Sequence, residues 1–406
     1  MYDILQGLRV VEAASFVAGP SSGLYLQQYG AEVIRLDPVT GPPDYRRWPL
    51  SAGGDSLFWE GLNKGKKSIA VDLSRPEGRE LAAAVITAPG ENAGLFVTNT
   101  PASGMFAHDR LAVLRSDLIS VRVMGWGDGT SAVDYTVNPA FGVPHMTGPA
   151  DSDEPVNHVL PAWDLLAGSY AAFILLAAER RRRQTGAGAE VRLPLSDVAA
   201  TTLANLGQVA EVAAGGDRPR VGNALFGAFG RDFVCGDGRR IMVVAITPRQ
   251  WANLVGALGI EAAVGALEER LGTSFARDEG QRFTHREPLF AMVQQAIGQN
   301  TFEGVAAAFD AKGVCWSPYR TLRQAFHEDL LFQEAYGLFE AIAHPGGGRY
   351  ATPGAAGRLE GMPRGPAASA PRFGAHTDEV LSSLLGLPTA EISRLHTAGL
   401  VAGPRP

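Results

Sequence analysis

Five short apolar runs punctuate the first 125 residues, at 8–12, 31–36, 68–73, 94–99 and 118–123, each separated from the next by a stretch long enough for a helix. Runs of this kind, bounded by turn residues and alternating with helical stretches such as 79–86, form a βαβ rhythm. The rhythm predicts an α/β fold: a mostly parallel, Rossmann-like sheet with helices on both faces. No internal repeat competes with this reading.

In such sheets ligands bind beyond the carboxyl ends of the strands, which singles out the loops at 14–20, 37–48, 99–104 and 125–134. Val17 lies in the first of these, Arg46 and Arg47 in the second, Asn99 opens the third and Asp134 closes the fourth. None of the loops reads GxGxxG or GxxxxGK[ST], so a nicotinamide or nucleoside-triphosphate enzyme is a poor reading despite the fold.

A chain of 406 residues is long for one domain and short for three. The expected division is a large domain over 1–214, a polar linker at 215–225, a small α/β domain over 226–330 and a return to the large domain over 331–406. With 46% hydrophobic and 19% charged residues the composition is globular. A formal charge of −6 argues against nonspecific nucleic-acid binding. Cys235 and Cys315 have neither disulfide-framework nor zinc-ligand spacing, and the first five residues lack the basic and apolar regions of a signal peptide, so a cytoplasmic location is expected. The most apolar stretch, 165–178, is shorter than the roughly 20 residues a bilayer requires and reads as a buried helix.

Asp164 sits immediately before that apolar helix. Two readings share the geometry: an N-cap that satisfies backbone amides, and a carboxylate kept ionised by the helix dipole to act as a nucleophile. Position alone leaves both open. Lys64, Lys66 and Lys67 surround Gly65 at the entry to a strand, either as a solvated cluster or as a phosphate-holding patch to which Arg35 adds. Arg46 and Arg47 offer a guanidinium fork for a carboxylate or serve as surface packing. Gly222, Gly227 and Gly230 punctuate an aromatic stretch that reads as a plain connector or as a mobile lid. No HExxH or GxSxG occurs among the eight histidines and the serines, so metal catalysis and a Ser-His-Asp hydrolase have no support. His158 reads as a hydrogen-bonded structural residue.

Taken in order, the segments 7–12 with 18–20, 30–35, 63–72, Thr147-Gly148, Asp164 and 370–377 resemble the family III CoA transferases over nearly the whole chain. The resemblance implies a discontinuous Rossmann-like large domain, a small α/β domain and an interlocked homodimer. It implies an acyl-CoA substrate, with coenzyme A arriving as part of that substrate, and no metal, redox cofactor, nucleic-acid or membrane partner. Asp164 matches the aspartate that attacks the acyl-CoA thioester and then carries CoA itself. The resemblance extends CoA and substrate contacts to Val17, Arg35, Arg47, Lys64, Val71 and Asn99, and further to Asp134, Tyr135, Asn138, Gly227 and Gly230.

Racemases of this family have a histidine just before the position of Asp134, where this chain has Val133, so the second acid/base of a racemase is missing. Formyl-CoA transferases have a glutamine at Val17 and a glycine-only lid where this chain reads Gly227-Ala228-Phe229-Gly230, which implies a bulkier lid that narrows acceptor access. The stretches 56–59, 133–139, 157–164 and 227–233 are most similar to members that move CoA between the two carboxyls of one branched, unsaturated C5 diacid. An intermolecular transferase and a non-catalytic acyl-CoA-binding protein are the other readings.

Overall fold

A computed structural model describes residues 1–404. The strands are β1 (Arg9–Ala13), β2 (Glu32–Pro38), β3 (Lys67–Val71), β4 (Leu95–Thr98), β5 (Ile119–Met124), β6 (Ala189–Pro194), β7 (Phe229–Val234), β8 (Arg240–Ala245), β9 (Cys315–Pro318), β10 (Phe339–Ala343), β11 (Arg349–Pro353) and β12 (Val401–Ala402). The fold is mixed α/β, and the chain divides into two compact units.

The first unit comprises 1–141, 158–210 and 329–406. Its seven-stranded sheet runs β12-β3-β2-β1-β4-β5-β6, parallel except for β12 against β3. Val10 pairs with Val33 on one side and Leu95 on the other, and Val10, Val33, Ile69, Leu95 and Val121 are all buried, as strands covered on both faces must be. The chain builds outward from β1 to β3 and then crosses back to β4. This reversal makes the β1/β4 boundary the topological switch point, where side chains from two diverging loops meet at the carboxyl edge.

The C-terminal return is laced to β3. Gly374 N donates to Ser68 Oγ (3.0 Å), His376 N to Ser68 O (2.9 Å) and Ala70 N to Thr377 Oγ1 (3.1 Å). Trp59 Nε1 donates to Pro371 O (2.9 Å).

The second unit comprises 142–157 and 211–328. Its antiparallel sheet β7-β8-β9 packs Phe229, Phe233, Trp251, Phe275, Phe290 and Phe309 into one aromatic core. Two sequence expectations need correction here. The large domain was expected to run unbroken over 1–214, but 142–157 joins the second unit. The reason is one guanidinium: Arg220 donates from Nε to His145 O (3.0 Å) and from Nη1 to Ser152 O and Glu154 O (2.6 Å each). The 215–225 stretch is also more than a linker, since Arg218 pairs with Glu211 (2.8 Å) and stacks over Phe226 (4.2 Å).

Among the described residues one helix, Ala162–Thr185, is long and apolar enough to cross a membrane by length and composition. It packs along the helix Ala18–Gln28 and against β5, with 39% of its apolar window buried.

Candidate active site

The helix Ala162–Thr185 begins behind Pro161, which has no side chain to cap it. Its first amides are satisfied from outside. Asp134, at the start of the helix Asp134–Ala140 and only 1% exposed, accepts through Oδ2 from Trp163 N (2.7 Å) and Asp164 N (3.1 Å). Its Oδ1 meets His158 Nε2 at 2.8 Å. Asn138, one turn further on, accepts from Trp163 Nε1 (3.1 Å), and Tyr135 packs edge-on against His158.

This bears on the cap reading of Asp164. It occupies the third helical position rather than the cap, and its carboxyl makes no hydrogen bond or ion pair among the described residues. The cap is Asp134, supplied from 30 residues upstream. Asp164 is left half-buried with its oxygens unengaged. Burial, and then the negative charge of Asp134, push its carboxyl up to about 7, against the pull of Arg47. Near neutral pH it therefore exists as a mixture of acid and carboxylate, and a desolvated carboxylate with no partner is a better nucleophile than a solvated one.

Gly168, one turn beyond Asp164 on the same helix face, fixes where that face points. A Cβ there would lie 2.0 Å from Ser21 Oγ and 2.9 Å from Ala18 O. The face is thus pressed onto the first turn of the helix Ala18–Gln28, directly after the β1 turn. That turn holds Phe16 in the left-handed region (φ 69°) and half-buried Val17 just before the helix. Asn99, after β4, donates to Ser15 O (3.0 Å) and accepts from Ser15 N (3.3 Å), so the two switch-point loops are tied together. Arg47, exposed, lies over the rings of Phe16 (5.4 Å) and Phe58 (5.2 Å). Beyond β5, the 125–134 loop lines a cleft of about 540 Å³ through Trp126, Gly127, Asp128 and Thr130.

Val17, Arg47, Asn99, Asp134, Tyr135, Asn138 and Asp164 all belong to the first unit, around these two helix starts. Other expected contacts do not gather there. Arg35 has no exposure; its donors are spent on Asp37, Asn63 and Asp44, so no phosphate reaches it. Burial alone would lower its guanidinium, but Asp37, Asp44 and Glu12 together raise it.

The three lysines are not one patch. Lys66 is buried on Glu12 (2.9 Å), Lys67 pairs with Glu32 and Glu379 at the surface, and Lys64 is buried, pulled down to about 8 by burial and by Lys66. The Val71 side chain is sealed in the sheet between β2 and β12.

The stretch with Gly227 and Gly230 belongs to the second unit. Phe229 is fully buried in the second unit's aromatic core, and Gly230 is a β7 residue paired with Val244, with the Gly230 carbonyl accepting from Leu225 N (2.8 Å). Gly227 alone keeps a left-handed turn (φ 80°) with open space around it. Sequence reasoning missed Phe16, and treated Asp44 only as a neighbour of the arginines. Nothing in the one-dimensional pattern marks a loop acid as the buried partner of a strand arginine.

No group of three or more His, Cys, Asp or Glu side chains placed to hold a metal occurs among the described residues.

A doubly wound sheet with an unengaged carboxyl at a helix start by the switch point is the setting of acyl transfer, and the chain belongs to CoA-transferase family III, whose model matches residues 5–377. It is 49% identical to the 2-methylfumaryl-CoA isomerase of Chloroflexus aurantiacus, over 100% of this chain and 99% of that one. It is 25% identical to the human succinyl-CoA:glutarate CoA-transferase, over 98% of this chain and 90% of that protein. A crystal structure of a CAIB/BAIF family protein from Brucella suis superposes with a TM-score of 0.75 at 23% identity, covering 95% of this chain and 100% of the other, which speaks to the fold alone.

Proposed function

We propose that this protein is an intramolecular CoA transferase that moves CoA between the C1 and C4 carboxyls of mesaconate, converting 2-methylfumaryl-CoA to 3-methylfumaryl-CoA. The observation that carries the mechanism is the Asp164 carboxyl, half-buried and unengaged while Asp134 does the capping. The substrate follows from the full-length likeness to an isomerase of that name.

In the first step an Asp164 oxygen attacks the thioester carbonyl; the C–S bond breaks and CoA leaves as a thiolate, giving a mixed anhydride. The thiolate then attacks the aspartyl carbonyl, releasing mesaconate as a dicarboxylate and leaving CoA on Asp164 as a thioester. The other carboxylate of mesaconate attacks that thioester, and the returning thiolate cleaves the new anhydride at the mesaconyl carbon, regenerating Asp164. Each half of the reaction exchanges one thioester for another of similar energy by way of a more activated anhydride, so the residues position the groups and desolvate the carboxylate. Arg47 supplies a guanidinium fork for the free carboxylate. The reading places the enzyme, a cytoplasmic homodimer, in the 3-hydroxypropionate cycle of carbon fixation.

The alternative is an intermolecular transferase with a separate acid acceptor, as the succinyl-CoA:glutarate relative is named. Incubation of mesaconyl-C1-CoA with labelled free mesaconate separates the two. Isomerisation without label entering the CoA esters is expected; label appearing at the rate of isomerisation would establish the intermolecular scheme.

A further inference from the structure

We propose that Asp44 is a positioning residue for the transfer chemistry: anchored by Arg35, it holds the left-handed turn at Phe16 on which the Arg47 guanidinium is seated. The inference rests on Asp164 being the nucleophile, as argued above.

Five charged side chains lie buried together in this part of the first unit: Glu12, Arg35, Asp37, Asp44 and Lys66. Burying ion pairs is a poor route to stability, because well-packed apolar residues of similar volume do as well or better. A structural output is therefore the more informative thing to look for. Arg35 is immobilised on every side, with Nε on Asp37 (3.0 Å), Nη1 on Asn63 (3.0 Å), Nη2 on both Asp44 oxygens (2.8 and 3.0 Å), and its plane over Trp59 (4.4 Å).

The Asp44 carboxylate, on a residue 1% exposed, has one partner outside that cluster among the described residues: its Oδ2 accepts from Phe16 N at 3.0 Å, while the Asp44 carbonyl accepts from Arg47 N (3.3 Å). Phe16 is the one non-glycine residue with positive φ among those described. A residue with a Cβ does not rest in that region unless its surroundings hold it there. Here the carboxylate on its amide does so, and the price is repaid in placement: the Phe16 ring, 39% exposed, forms with Phe58 the surface under Arg47.

Two charged groups act on the Asp164 carboxyl: Asp134, at the start of the helix Asp134–Ala140 and paired with His158, and Arg47, on the loop after β2. Burial and Asp134 hold the Asp164 carboxyl protonated and Arg47 opposes them, so the turn that seats the Arg47 guanidinium over Phe16 contributes to how much of Asp164 is carboxylate at a given pH.

The test follows Asp164 directly in substrate-free protein, by carbodiimide-driven amine labelling across pH with mass-spectrometric readout of the Asp164 peptide. Arg47→Gln, Asp44→Ala and Phe16→Ala should each raise the labelling midpoint by about half a unit or more, and Asp44→Ala combined with Arg47→Gln should go no further than Arg47→Gln alone. An unmoved midpoint in Asp44→Ala or in Arg47→Gln, or additive shifts in the double variant, would overturn the proposal. Should Asp44→Ala lose its fold by circular dichroism, Phe16→Ala decides, since that exposed ring can be removed without opening the core. Failure of the nucleophile assignment registers separately, as undiminished turnover by Asp164→Asn.

Discussion

Burial of the Asp164 carboxyl costs stability, and pH exposes the cost. Its carboxyl sits at about 7 in the folded protein, above the roughly 3.9 of an unfolded aspartate. The folded state thus holds the proton more tightly, and the stability this contributes is full below the unfolded value and lost as pH rises through the folded one. Asp164→Asn should therefore be more stable than the parent at pH 8, with the gap closing toward pH 4, as read by thermal melts at each pH. A constant gap would detach the effect from ionisation. The same variant should lose turnover by about a thousandfold or more.

The sequence makes this residue legible, because an acid before an all-round apolar helix needs a reason. It does not reveal that the cap comes from Asp134, because that contact spans 30 residues and no local pattern encodes it. Arg35 and Lys64 misled for a related reason. A charged residue beside a strand looks solvent-facing until its partners, Asp37 and Asp44 for Arg35, are seen to be buried with it.

Two helices carry the site, and their approach depends on missing side chains. Gly168 lets the helix Ala162–Thr185 lie on Ala18 and Ser21, and Gly19 and Gly23 seat the helix Ala18–Gln28 on β1 and its turn, where a Cβ would lie 2.3 Å from Ala14 and 1.9 Å from Glu12 respectively. Gly168→Ala should cost about 1–3 kcal/mol in urea denaturation and lower kcat about tenfold or more by moving Asp164 one turn away. Normal turnover in a destabilised variant would show that the helix crossing does not set the nucleophile. At this scale the sequence is most readable: β1 to β5 each fall on an apolar run, since strands buried on both faces leave continuous hydrophobic signatures. The β10–β11 hairpin lies beside a Gly- and Pro-rich stretch whose composition suggests only loop.

For the whole molecule, one apolar surface stands without cover. Leu166, Tyr170 and Phe173, spaced along one face of the helix Ala162–Thr185, are 37%, 45% and 68% exposed, and Leu206 nearby in sequence is 66% exposed. An apolar face of this kind marks an interaction surface, and the homodimer proposed above supplies its partner. Phe173→Glu should shift sedimentation equilibrium toward monomer, and a parent protein that sediments as monomer at micromolar concentration would refute the dimer. The passage of 142–157 into the second unit is not legible in the sequence, because it depends on the three carbonyls that Arg220 gathers.

The central claim is that CoA is carried by one side chain. Protein mixed with mesaconyl-CoA, trapped with hydroxylamine within a few turnovers and digested, tests it by mass spectrometry. The account predicts a hydroxamate on the peptide containing Asp164 and on no other; a hydroxamate on a different residue, or none while turnover continues, would contradict it.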